Sequence, residues 1–113
     1  MEIDQTVKIC QYYAKQKDAL LSQNIKTNAK KKTLIKYQPQ GTVYTIVPST
    51  YPFLIPFYKC LPQLLLGNGV LVRYSHRRPG IAREVEKIMK KSGFESGEYQ
   101  HIWNFHEHSE KII

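Results

Sequence analysis

The chain has 113 residues, enough for one domain with a core and too few for two. Hydrophobic residues make up 42% and charged residues 23%, which excludes a disordered chain, and no apolar run reaches the length of a membrane span. The net charge of +8 is spread out, with eight Lys against three acids in residues 1–40 and nine Lys or Arg against six acids in residues 41–113.

Residues 3–22 place Ile3, Val7, Cys10, Ala14 and Leu21 at spacings of three, four and seven, which predicts an amphipathic helix with an Asp4–Lys8 pair on its polar side. "NIKTNAKKKTLIKYQPQG" loses that period, and alternation around Leu34, Ile35 and Tyr37 predicts an extended arm ended by Pro39 and Gly41. "GTVYTIVP", residues 41–48, is β-branched and aromatic and reads as a strand. In "STYPFLIPFYKCLPQLLLG" a helix is expected, capped by Ser49 or Thr50, with Pro52 in its first turn and Gly67 at its end. Pro62 should bend it, because a proline cannot donate to the carbonyl of residue 58.

"GVLVRY", residues 69–74, reads as a second strand. Pro79 opens another helix with an Ile81, Val85, Ile88 and Met89 stripe, a Glu86–Lys90 pair and Gly93 past its end. "GEYQHIWNF" reads as a third strand, and the tail "HEHSEKII" has no pattern. The order β-α-β-α-β after a helix and an arm predicts an α/β fold, a partial Rossmann-like three-stranded parallel sheet with right-handed crossovers. The divisions expected are 1–40 for helix and arm, 41–103 for the sheet domain and 104–113 for the tail.

The turn between the second strand and the following helix carries Arg73, Ser75, His76, Arg77 and Arg78. A basic turn feeding a helix N-terminus suits a phosphate, a structural anion or acids on a neighbouring protein. His101, His106 and His108 invite a metal reading, since alternate residues of a strand share a face, but their spacing is loose and no fourth ligand is evident, so they read as a solvated tail. Lys30, Lys31 and Lys32 read as a solvated loop able to touch an anionic partner. The scattered tyrosines form no stacking platform, so nucleic acid is not an expected partner. Cys10 and Cys60 stand alone without metal or redox spacing, as in a reducing compartment, cytoplasm or mitochondrial matrix, and "MEIDQTVKIC" reads as neither signal nor transit peptide.

Several short stretches, in order, carry a family likeness: "CQYYAKQKDALL", "YQPQGTV", "VPSTYPF", "LPQLLLGNGVLVRYS" and "PGIAREVEKIMKKSGFESGEYQ". Together they resemble the aldehyde dehydrogenase superfamily, most closely its succinate-semialdehyde dehydrogenase branch, over about residues 1–103. The resemblance implies a degenerate piece of the N-terminal and cofactor-binding region. It sets Ser49 and Thr50 where the family has Trp and Asn, the Asn being an oxyanion donor. Thr50 is then a shorter and less directed donor at that position. It also sets Arg73 at the family's ribose-gripping Lys and His76 at a Glu that many members use for the ribose hydroxyls. With Arg77 and Arg78 beside it, a surviving site would favour NADP or a phosphate, weakly. The family's Gly-Ser-Thr segment, catalytic glutamate and nucleophilic cysteine come after the third strand, and Cys10 and Cys60 match neither the position nor the setting of that nucleophile.

The expectation drawn from this is a catalytically inactive aldehyde-dehydrogenase-like module, a structural subunit of a larger protein complex, with no cofactor required. The alternatives are a fragment or split subunit of an NAD(P)-dependent dehydrogenase, with catalysis on another chain, and an isolated gene remnant. Because both crossover helices fall on one sheet face, Val43, Thr45 and Val47, or the alternate set Tyr44 and Ile46, are expected against another protein subunit. Lys30, Lys31 and Lys32 are expected to reach across to it.

Overall fold

The computed structural model describes residues 1–22, 24–103 and 106–112. Helix α1 spans Glu2–Leu21, strands β1 and β2 span Asn24–Asn28 and Lys31–Ile35, and β3 spans Thr42–Ile46. Helix α2 (Leu54–Leu65), β4 (Gly69–Arg73), α3 (Pro79–Lys91) and β5 (Tyr99–Ile102) follow, with a 3-10 turn at His106–Lys111. Strands β3, β4 and β5 form a parallel sheet in that order, with Val43 opposite Val70 and Val70 opposite Tyr99. This is the Rossmann-like β-α-β-α-β arrangement that the alternation of apolar runs and helical stripes predicts.

Both crossover helices bury one face against the sheet. Phe57, Cys60 and Leu64 of α2 and Ala82, Val85 and Met89 of α3 share a core with Val47, Val70, Val72, Tyr74 and Tyr99. Side chains alternate along a strand, so Val43, Thr45 and Val47 lie on this face and Tyr44 and Ile46 on the other. Thr45 and Val47 are therefore covered by the chain's own helices rather than by a partner, and half-buried Val43 shares their face. Ile46, on the opposite face, is 46% exposed.

Several local expectations change. The arm is an antiparallel hairpin, with Asn28 opposite Lys31 and the Asn28 side chain accepting from the Ala29 N–H at 2.8 Å. Alternation alone does not separate a lone extended segment from a hairpin, and the pairing became visible only through the close turn. Helix α1 packs on α2, and Ile3, Val7 and Leu21 stay about half exposed. Asp4 meets the Met1 amino group at 3.4 Å.

Helix α2 starts at Leu54 rather than at Ser49 or Thr50, because its cap comes from elsewhere in the chain. Pro62 lies inside α2, while Pro56 sits in the first turn, where no intrahelical donor is lost. Helix α3 matches its stripe except at Ile88, which is 42% exposed, and Gly93 takes the left-handed φ of 95° that ends it. The patternless tail contains a 3-10 turn with Ser109 buried. Asn104 and Phe105, the end of the expected third strand, lie outside the described residues, as does the His106 side chain.

Candidate functional site

The carboxyl ends of β3 and β4 frame a cleft of about 390 Å³ lined by Ile46, Val47, Pro48, Ser49, Arg73, Ser75, His76 and Arg77. Its position follows from topology: in a parallel sheet the loops leaving the strand ends gather on one side, where ligands bind. The Val47 N–H donates to the Arg73 carbonyl at 2.9 Å, so the two strands remain paired up to the cleft floor. Past Arg73 the chain turns. The Ser75 hydroxyl accepts from the Arg77 N–H at 3.4 Å and the Ser75 carbonyl from the Arg78 N–H at 3.3 Å. That turn delivers Pro79 to the first position of α3, whose N-terminus has no side-chain cap and no acid in its first turn.

The sequence-predicted anion residues Arg73, Ser75, His76 and Arg77 are thus brought together, though not as equals. Arg73 is 2% exposed, and Arg73 and His76 are both engaged by other groups of the chain. Arg77 and Arg78 are exposed. The exposed cationic group of the cleft lining is therefore Arg77, with Ser75 half-buried beside it and Arg73 buried in the same lining. Thr50 is exposed on the loop after β3 and is not part of the cleft lining, which stops at Ser49 on that side. The next residue, Tyr51, has a φ of 51°, a left-handed conformation disfavoured for a residue with a Cβ.

Neither cysteine is poised as a nucleophile. Burial pushes the Cys60 thiol up to about 12, against a smaller opposing effect from its hydrogen bond with Thr45. Burial likewise raises Cys10. Thiol chemistry near neutral pH needs the thiolate, which both environments disfavour. The hydroxyls of Tyr74 and Tyr99 meet at 2.8 Å within the core, and His101 Nδ1 reaches the Glu86 carboxylate, which also holds Lys90 at 2.7 Å. Among the described residues no cluster of three metal-ligating side chains forms, and His108 stands exposed. Lys30, Lys31 and Lys32 are exposed around the hairpin turn, far in sequence from the cleft.

Two residues that hold the framework around the sheet escaped the sequence reading. Glu2 Oε1 accepts the Phe53 N–H at 2.7 Å and the Leu54 N–H at 3.0 Å, capping α2. Asn68 Oδ1 accepts the Gln40 and Gly41 N–H groups at 2.6 and 3.2 Å while its amide donates to Gln63 at 3.1 Å, fixing the approach to β3. A Gly-Asn pair at a strand start was a visible signal for the second. Nothing local marked the first.

The chain belongs to the aldehyde dehydrogenase family, which it matches over residues 1–112. It is similar to a probable NADP(+) succinate-semialdehyde dehydrogenase of Synechocystis, 27% identical over 99 residues that cover 88% of this chain and 22% of that protein. A succinate semialdehyde dehydrogenase [NAD(P)+] of Escherichia coli is 26% identical over 98 residues, covering 87% of this chain and 21% of that protein. The structure of Gox0499 superposes with a TM-score of 0.89 at 27% identity, covering 98% of this chain and 24% of that one. The chain thus spans about a fifth of the length of the curated relatives it matches. Among the described residues no helix is long and apolar enough to cross a membrane.

Proposed function

We propose that this chain supplies the first β-α-β-α-β half of the cofactor domain of an NADP-preferring semialdehyde dehydrogenase, with the remaining fold and the thiol chemistry on further polypeptide. The observation that carries this reading is the cleft at the ends of β3 and β4, whose lining contains Ser75, His76, Arg73 and Arg77 and, among the described residues, no carboxylate. A ribose hydroxyl pair is normally held by an acidic side chain, which would repel a 2′-phosphate, whereas a nearby arginine accommodates one. The donor set fits the phosphorylated cofactor: Arg77 would meet the phosphate, Ser75 would donate to it, and buried Arg73 would supply a positive background field. When bound, NADP accepts the hydride in aldehyde oxidation. The residues of this chain would bind and orient it. Support also comes from the two relatives above, whose names carry NADP(+) and NAD(P)+.

Calorimetric titration with 2′,5′-ADP and with 5′-AMP tests the reading. Weak binding of the 2′-phosphorylated nucleotide, abolished by Arg77→Glu, is expected. Equal binding of both nucleotides, or none, would overturn it.

The second reading, an inactive structural subunit in a protein complex, is favoured by exposed Ile46 beside the open β3 edge of the sheet. Native mass measurement combined with an assay of reduced-cofactor absorbance separates the two. A partner chain bearing a reactive cysteine, with turnover on succinate semialdehyde, favours the enzyme. A stable complex without turnover favours the subunit.

A further inference from the structure

The geometry points to Glu2 as a positioning residue for the loop that walls the cleft, a role that rests on the cleft reading above. The loop runs from Pro48 to Phe53. At its cleft end Pro48 and Ser49 line the cavity, and at its other end Phe53 and Leu54 open helix α2. Between them Tyr51 holds a left-handed φ of 51°, and its carbonyl accepts the Ile55 N–H at 3.2 Å. A residue with a Cβ persists in that conformation only where its surroundings fix it.

The surroundings that fix it come from the far end of the sequence. Phe53, the residue before α2, brings no side-chain cap of its own. The Glu2 carboxylate takes its place, accepting two N–H groups across 51 and 52 positions of chain. Glu2 is half-buried and itself anchored in the first turn of α1, where its carbonyl accepts the Thr6 hydroxyl at 2.9 Å. A negative charge at a helix N-terminus satisfies orphan donors and favours the helix dipole. Helix α2 therefore cannot also offer those N–H groups to a ligand phosphate, and the anion side of the cleft is left to the Arg77 turn. The seating of α1 is thereby coupled to the cleft wall through one carboxylate.

Hydrogen exchange read by mass spectrometry on the full chain, with Glu2→Ala and Glu2→Gln, tests the proposal. In Glu2→Ala the Phe53 and Leu54 amides should exchange roughly tenfold faster, the scale of one lost charge-assisted bond, while peptides of α3 and β5 keep their protection. Binding of 2′,5′-ADP should weaken in the same variant, and Glu2→Gln, which keeps an acceptor oxygen, should restore most of both. Unchanged exchange at Phe53 and Leu54, or an equal rise across the whole chain, would overturn the proposal. If the unmodified chain binds no 2′,5′-ADP, the cleft reading fails, and the exchange measurement still decides whether Glu2 fixes the loop.

Discussion

Tyr74 and Tyr99 join their hydroxyls at 2.8 Å in the core, each 2% exposed, one just past the end of β4 and the other at the start of β5. Each satisfies the other, so neither polar tip is left alone among apolar neighbours. Removing one should cost more than removing both. Tyr99→Phe should lower stability by about 1–3 kcal/mol by stranding the Tyr74 hydroxyl, and the double phenylalanine variant should lie closer to the parent. Urea unfolding of the four proteins of that cycle measures the coupling, and strictly additive losses would show that the pair contributes nothing jointly.

Alkaline conditions should loosen the same core. Burial raises both tyrosines above their ordinary value of 10.0 and pushes the Cys60 thiol from 9.0 up to about 12. A folded-state value above the unfolded one means that the folded chain holds its proton more tightly. The resulting stability is complete below pH 9 and is lost as pH climbs from 9 towards 12 for Cys60, with the tyrosines adding to the loss above 10. Thermal melts across that range should fall progressively, and Cys60→Ser should flatten the first part of the fall.

Glu86 makes the fold sensitive to acid pH. Its hydrogen bond to Lys90, with a smaller effect from His101, holds its carboxyl below the usual 4.5. Stability from this group is present above 4.5 and fades as pH drops through its lowered folded value. Glu86→Gln should cost no more than about 1 kcal/mol at neutral pH, because solvent screens much of the pair. The variant should also show a shallower acid limb in a melt-versus-pH series.

Tyr51 offers the opposite sign. It is 57% exposed and carries a left-handed φ of 51°, so Tyr51→Gly removes a steric penalty and little packing. Allowing for the extra freedom of glycine in the unfolded chain, the variant should match the parent or gain up to about 1 kcal/mol. A clear loss in chemical unfolding would mean that the Tyr51 ring holds the loop.

The face of the sheet opposite the helices carries Ile46 at 46% exposure, and β3 and β5 are both free edges among the described residues. Exposed apolar strand next to an open edge favours association. At micromolar concentration the chain should sediment as more than a monomer, and Ile46→Lys should shift it towards one. A strictly monomeric parent with a cooperative melt would show that the face is stable in water.

The sheet and its helices were legible because their signals are local and periodic: the β-branched run from Thr42 to Ile46, the stripe of Ile81, Val85 and Met89, and Gly93 at a helix end. The start of α2 was not legible, since the sequence offered Ser49 and Thr50 as caps while the carboxylate used belongs to Glu2, distant along the chain. The cleft was half legible. Its basic residues could be named from the turn, but the burial of Arg73 and the placing of Thr50 outside the lining depend on how three segments pack, which no window of sequence contains.

The hairpin β1–β2 stands away from the rest, with every described side chain from Thr27 to Thr42 exposed, and the molecule extends 58 × 34 × 24 Å. Its radius of gyration, 16.6 Å, exceeds the roughly 13 Å typical of a compact chain of this size. Lys30, Lys31 and Lys32 crowd near the outer end of that projection. Three adjacent cations on an exposed hairpin make that turn a local concentration of positive charge. A negatively charged surface would attract that turn, and the attraction would weaken as salt is added.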